Sequence, residues 1–299
     1  MCNRRPARLL TRMRRALALA TIVLAALAIA PLQAAENNDA ARLFLPVNII
    51  DGSDDRGSLL VLGPKLGLSA DEIARIRSVS GYVGCLAPSP SVGSGALFLT
   101  AGQVLTAAHI FFEPSGRLRE KCFFRTQATP PVMSDILLDA GNAKFGALRP
   151  KPGSNDDYAI VRLAAPIAGA EPFPVETAVP VKAGDTLVVV TAHPAGMRTA
   201  VDNGIPVVQS CKVRRAPHST GRTSFYRSDC DASGASSGGM NLARVGGRLV
   251  YRGVTISTGP WQDPALDGAP YDEARGSVTT ALGADAGILK AGKALAAGE

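Results

Sequence analysis

Histidine is scarce in this chain, and that scarcity narrows the chemistry to be considered. Only three occur, His109, His193 and His218. A serine hydroxyl is a poor nucleophile at neutral pH unless a base lies within hydrogen-bond reach, and that base needs a third group to fix its tautomer. His109 closes the run Leu105-Thr106-Ala107-Ala108-His109, small residues at the end of an apolar stretch. Asp157 opens Asp157-Tyr158-Ala159-Ile160-Val161-Arg162-Leu163, an acid at the mouth of a strand-like run. Ser237 lies in Cys230-Asp231-Ala232-Ser233-Gly234-Ala235-Ser236-Ser237-Gly238-Gly239. Its glycines let main-chain N–H groups turn toward a ligand. The three residues follow in the order His, Asp, Ser, spaced by 48 and 80 positions. They supply a base, an orienting acid and a nucleophile, the parts that acyl transfer requires. His193, in Ala192-His193-Pro194-Ala195-Gly196, reads as a structural turn, and His218 as an exposed residue of an Arg-rich loop.

Chain order excludes another hydrolase design. Gly234-Ala235-Ser236-Ser237-Gly238 also matches G-x-S-x-G, the nucleophile elbow of α/β-hydrolases. That fold places its histidine after the serine, and no histidine follows position 218. Of the serine doublet, Ser237 is the expected nucleophile because Gly238-Gly239 follows it.

The elements that must hold these residues read as strands. Between 80 and 165 come short apolar runs such as Ala96–Leu99, Gln103–Thr106 and Tyr158–Leu163, separated by turn clusters such as Pro150-Lys151-Pro152-Gly153. A connector over Ala164–Pro174 precedes a second series, including Thr186–Thr191 and Leu249–Ile256. This spacing predicts an all-β barrel or sandwich arrangement in two β domains joined by a linker. Ser69, three residues before Glu72, predicts an N-cap and a short helix. The Ala-rich tail, Ala281–Glu299, reads as a terminal helix weakened by Gly287 and Gly292.

The first 34 residues carry six arginines and then an apolar run, Ala16–Ala30, ending in Pro31 and small residues. This is the pattern of a secretory signal peptide, with cleavage expected after Ala34 and no stable membrane anchor left behind. The whole chain of 299 residues has a net charge of +7, which falls to about +1 once those six arginines leave. The basic character therefore belongs to the export signal, and nothing in the sequence calls for nucleic acid, a metal or a cofactor. Cys2 departs with the signal, leaving Cys85, Cys122, Cys211 and Cys230. An even number in an exported chain predicts two disulfides, for which sequence alone allows three pairings.

The segments around His109, Asp157 and Ser237 resemble the T-A-A-H, D-x-A-hydrophobic and S-G-G motifs of trypsin-like serine proteases. Gly52-Ser53-Asp54-Asp55-Arg56 resembles the leading segment of bacterial glutamyl endopeptidase-like members. The resemblance spans roughly residues 50–290. It implies an all-β fold of two six-stranded antiparallel β-barrels with a short C-terminal helix. The expected organisation is a signal peptide over 1–34 and an N-terminal extension over 35–75. The first barrel, with His109 and Asp157, then covers 76–168, and the second, with Ser237, covers 169–299. It implies a secreted or periplasmic endopeptidase acting on protein or peptide substrates through an acyl-enzyme, with His109, Asp157 and Ser237 catalytic. The main-chain N–H groups of Ala235 and Ser237 would form the oxyanion hole. It also implies a Cys85–Cys122 bridge bracketing the histidine. Asp231 would stand at the floor of the specificity pocket and favour Arg or Lys, and Ser257-Thr258-Gly259 would pair with substrate backbone. Glutamyl specificity is not expected, because no histidine lies near Thr255–Ser257.

Two departures matter. Ala235 stands where the family commonly has glycine, and its methyl disfavours unusual dihedrals. Ser236 replaces the aspartate that pairs with a newly cut N-terminus in trypsins, so activation by that ion pair is not expected. The alternative is a catalytically weak or inactive trypsin-fold binding module.

Overall fold

The computed structural model describes residues 47–147, 149–192, 205–219, 223–259 and 263–298. The signal-like segment and His193 lie outside the described residues. The described residues open with β1 (Val47–Asn48), β2 (Gly57–Ser58), a short helix α1 (Leu59–Leu62) and α2 (Ala70–Val79). The helix predicted after Ser69 is α2. Ser69 Oγ accepts from the Glu72 N–H at 3.2 Å, and Glu72 Oε2 accepts from the Ser69 N–H at 2.9 Å. This reciprocal cap satisfies two of the donors that a helix N-terminus leaves free.

Seven strands follow: β3 (Ser80–Ala87), β4 (Ser91–Phe98), β5 (Thr100–Thr106), β6 (Glu120–Thr126), β7 (Met133–Leu137), β8 (Ala143–Phe145) and β9 (Ala159–Leu163). The order β5-β4-β3-β6-β7-β9 closes on itself through β5–β9 pairing, and β8 adds to β9. This is the first six-stranded antiparallel barrel. The second runs through β10 (Thr186–Thr191), β11 (Val207–Ser219), β12 (Ser224–Ser228), β14 (Met240–Val245), β15 (Arg248–Thr258) and β16 (Thr279–Gly283), with the two-residue β13 (Ala232–Ser233) between β12 and β14. Its order β10-β14-β15-β16-β12-β11 closes through β10–β11, with β2 added to β11. The chain ends in α3 (Ala286–Ala297).

The strand β10 shows how sequence pattern and packing connect. Thr-Leu-Val-Val-Val-Thr has no polar alternation because both faces of the strand are covered. Leu187 and Val189 join Val213, Tyr226 and Ala243 in one apolar cluster. Val188 and Val190 join a second cluster that extends through Leu242, Tyr251 and Val254 into the first barrel at Phe98, Leu105 and Phe111. Phe98 and Tyr251 meet edge to face across the barrels, with ring centroids 5.5 Å apart.

The C-terminal tail differs in its boundary from the sequence expectation. Ala281–Gly283 completes β16, and the helix starts only at Ala286. Asp285 caps it by accepting from the Gly287 and Ile288 N–H groups, and also receives the Ser224 N–H at 2.6 Å. Gly292 is a point of close approach: a Cβ there would lie 2.8 Å from Leu99 Cδ1. The glycine lets α3 sit against the first barrel, where Gln103 Nε2 donates to the Gly292 carbonyl at 3.1 Å.

Candidate active site

The structure brings His109 and Asp157 together. His109 lies in a 3₁₀ turn, Ala108–Phe111, just after β5, and Asp157 lies two residues before β9, the strand paired with β5. Register therefore sets their proximity, with Thr106 opposite Ala159. The Asp157 carboxylate is fully buried. Its Oδ2 accepts from His109 Nδ1 at 2.7 Å and from the Gly153 N–H at 2.8 Å, while Oδ1 accepts the His109 N–H at 2.9 Å. A buried carboxylate is costly unless its lone pairs are occupied, and three N–H donors occupy these. The bond to Nδ1 assigns the ring proton to that nitrogen and leaves Nε2 as the basic one. The imidazole is partly exposed, so the base can meet a substrate.

Ser237 lies in the loop between β13 and β14, and the structure separates the two serines of the doublet. Ser236 is buried, and its Oγ accepts the Ser233 N–H at 2.9 Å, so it closes the loop on itself. Ser237 is partly exposed. Gly238 follows with φ +85°, and a Cβ there would fall 1.8 Å from the Ser94 carbonyl oxygen. Only glycine satisfies both conditions, which is the physical content of the S-G-G motif. The same packing sets Ser237 beside Ile110, the residue after His109: a Cβ on Gly93 would touch Ile110 Cδ1 at 2.3 Å and the Ser237 carbonyl oxygen at 2.8 Å. Among the described residues no hydrogen bond links Ser237 Oγ to the imidazole; such bonds commonly tighten only with substrate bound.

Ser94 was not legible as a functional residue, yet it joins both halves of the site. Its N–H donates to the Ser237 carbonyl at 2.7 Å. Its Oγ donates to the Ala235 carbonyl at 2.9 Å and accepts the Ala192 N–H at 2.9 Å. Its carbonyl accepts from Thr106 Oγ1 at 2.6 Å, three residues before His109. The only sequence signal was a small-residue run, Gly93-Ser94-Gly95.

The loop before Ser237 is a hydrogen-bonded turn, with the Ser236 N–H donating to the Ser233 carbonyl at 2.8 Å. Gly234 and Ala235 are its central residues. Asp51, Leu99 and Lys121 are the described non-glycine residues with positive φ, and neither Gly234 nor Ala235 has one. A type II turn needs φ near +80° at its third residue and therefore glycine; this turn is of the type I kind that alanine accepts. Between the two types the central peptide turns over by roughly 150–170°. The sign of this single φ thus decides which way the Ala235 N–H points. Neither that N–H nor the Ser237 N–H donates to another main-chain group among the described residues.

Asp231 corrects an expectation. Its side chain is buried, and both carboxylate oxygens receive main-chain N–H groups of the N-terminal segment, from Ile50 and Asp55, each at 2.8 Å. Gln209 holds its main chain on the other side, accepting the Asp231 N–H and donating to its carbonyl. The residue clamps the segment 50–55 instead of presenting a free carboxylate to a basic side chain. Burial pushes its carboxyl up to about 6 and Asp54 adds to this, outweighing the two N–H donors and Arg56. The Asp-Asp-Arg segment has its own pair: Arg56 Nε and Nη2 bind both oxygens of Asp54 at 2.8 and 2.9 Å. Burial raises the Asp54 carboxyl, but the Arg56 bonds outweigh it and hold it below its ordinary value.

Ser257 and Gly259 lie at the end of β15. Ser257 Oγ would be 2.9 Å from a Cβ on Gly153, the residue that donates to Asp157. Gly259 donates to the Val278 carbonyl at 2.8 Å and approaches the Gly276 carbonyl too closely for any side chain. Two disulfides brace these parts. Cys85–Cys122 links facing positions of β3 and β6 on either side of His109 in sequence. Cys211–Cys230 fixes the residue before Asp231 to β11.

Residues 93–250 match the family model described as a trypsin-like peptidase domain. The chain belongs to the trypsin-like peptidase family. Among solved structures, this peptidase resembles a Glu endopeptidase at 15% identity, with 82% of this chain and 100% of that one covered and a TM-score of 0.57. It also resembles a thermostable serine protease from an extremophilic microorganism, at 15% identity, 74% and 99% coverage and a TM-score of 0.51. A protease from M. tuberculosis in its active form matches at 15% identity, 82% and 88% coverage and a TM-score of 0.50. A comparison with curated protein sequences gives no match. The structural likenesses agree on the two-barrel fold.

Proposed function

We propose that this peptidase is an exported serine endopeptidase working through His109, Asp157 and Ser237, with residues 1–34 as its export signal. The observation that carries the reading is the fully buried Asp157 carboxylate bound to His109 Nδ1 at 2.7 Å, beside a serine presented by a glycine-dependent loop. Ser237 Oγ attacks the substrate carbonyl carbon as His109 Nε2 takes its proton. The C–N bond then breaks with that proton passing to the leaving amine, and water releases the acyl group by the same steps in reverse. Asp157 stabilises the imidazolium throughout. The Ser237 N–H, joined by that of Ala235, receives the developing oxyanion, each donor contributing about 3–4 kcal/mol in comparable sites. Two disulfides fit an oxidising compartment, the periplasm or the medium.

The Ala235 turn favours a second reading, a trypsin-fold binding module with weak activity, because alanine resists the positive φ at which the peptide carrying one oxyanion donor would turn over into the type II orientation. Fluorophosphonate labelling of the purified protein tests both. Label on wild type and Ser236→Ala but not on Ser237→Ala establishes the activated nucleophile. A folded wild type that takes no label, with labelling gained in Ala235→Gly, points to the binding module.

A further inference from the structure

The cleft beside His109 carries a charge pattern that the triad does not use, and its reading rests on the peptidase function proposed above. His109 forms one wall; the others are the loop over 112–116 with Arg119, and the segment Arg149–Pro152. Arg119, Arg149 and Lys151 line it, against a single carboxylate, Glu113. Glu113 already accepts from Ser89 Oγ at 2.9 Å. Arg119 is 9% exposed, and its Nη1 donates to the carbonyl and hydroxyl of Ser89. Its Nε is buried and has no partner among the described residues. Arg149 and Lys151 are exposed, and among the described residues neither side chain has an ion-pair or hydrogen-bond partner. The loop tip steadies one of them, since a Cβ on Gly116 would meet Arg149 Cδ at 3.3 Å.

Two unpaired cations backed by a buried guanidinium, in a cleft that opens on the catalytic imidazole, attract carboxylates to the place where substrate must lie. We propose that this cleft is a substrate subsite selecting an acidic residue, Asp or Glu, close to the scissile bond, with Arg149 and Lys151 as the contacting groups. Exposed ion pairs are individually weak, so the expected preference is about 5- to 10-fold for each acidic residue placed there.

The test reads binding on the Ser237→Ala protein, so that it does not depend on hydrolysis. Fluorescein-labelled peptides that differ only by Glu or Gln at successive positions are titrated by anisotropy at low and high salt. We expect one or two positions at which Glu binds about 5- to 10-fold tighter, an advantage that shrinks in high salt as exposed charges are screened. It should disappear in Arg149→Ala/Lys151→Ala and persist in Arg117→Ala, which removes a cation paired to Glu120 outside the cleft. Equal binding at every position, or a preference that survives the double substitution, overturns the inference. So does equally tight, equally Arg149- and Lys151-dependent binding of a short oligonucleotide, which would mark a general polyanion site. Absence of fluorophosphonate label on wild type, with the acidic preference intact, would instead overturn the peptidase reading alone.

Discussion

The two halves of the proposed active site are built on different principles. The His109–Asp157 half belongs to one barrel and is fixed by side-chain chemistry: a buried carboxylate with three donors, on paired strands β5 and β9. The Ser237 half is a loop of the second barrel fixed by main-chain geometry. It depends on Gly238 at positive φ, on a four-residue turn and on contacts from Ser94 in the other barrel. The first half is complete without substrate, because disturbing it would strand a buried charge. The second is held by neutral hydrogen bonds of about 1 kcal/mol each and is the half that can change orientation.

The largest effect should come from breaking the charged half. Asp157→Asn retains the shape but not the charge, and an amide can donate as readily as accept toward Nδ1. The imidazole then loses its fixed tautomer, and kcat should fall by about 10⁴-fold with KM little changed. Steady-state kinetics on a peptide substrate checks this. A fall of less than tenfold would mean that the first half is no more critical than the loop.

An intermediate effect should follow from uncoupling the halves. Ser94→Ala leaves the Ala235 carbonyl and the Ala192 N–H without their side-chain partner, costing about 2–3 kcal/mol of stability. Because the same bond sets the peptide before Ser236, the fluorophosphonate labelling rate should fall by about 10- to 100-fold. Urea unfolding and labelling kinetics separate the two effects. Lost stability with an unchanged labelling rate would make Ser94 a packing residue only.

Legibility in the sequence divides along the same line. His109 and Asp157 stood out because a polar residue at the end of an apolar strand is a local signal, and register then brings them together. Ser237 stood out through the glycines after it. Ser94 did not, since a serine among glycines says nothing until Ala235, Ala192 and Thr106 arrive from elsewhere in the chain. The surroundings of Asp231 are hidden for the same reason: its offset from Ser237 is local, but the groups that occupy its carboxylate come from 176 and 181 residues away. Both barrels were readable as runs of short strands. Ala281–Gly283 reads in sequence as part of the tail helix because alanine hides the two-residue period of β16.

The smallest effect concerns how the N-terminal segment is fastened to the loop-bearing barrel. Asp231 has an ordinary value of 3.8 that burial raises to about 6, with Asp54 acting in the same direction and Arg56 against it. The folded state therefore binds a proton more tightly than the unfolded chain. Its contribution to stability is present below the ordinary value and is lost as pH rises through the folded one. Asp231→Asn cannot titrate. It keeps one accepting oxygen for two N–H donors, and should lower stability by about 1 kcal/mol near pH 4. The gap to wild type should narrow as pH rises from about 4 to about 6 and hold level above that, because only wild type weakens between those values. Thermal unfolding at both ends of the range measures it. A gap that widens with pH would show that the Ile50 and Asp55 amides favour the ionised carboxylate more than burial disfavours it. The clamp would then be electrostatic in the same sense as the Asp157 site, and the contrast between the two halves would not extend to the segment that precedes the first barrel.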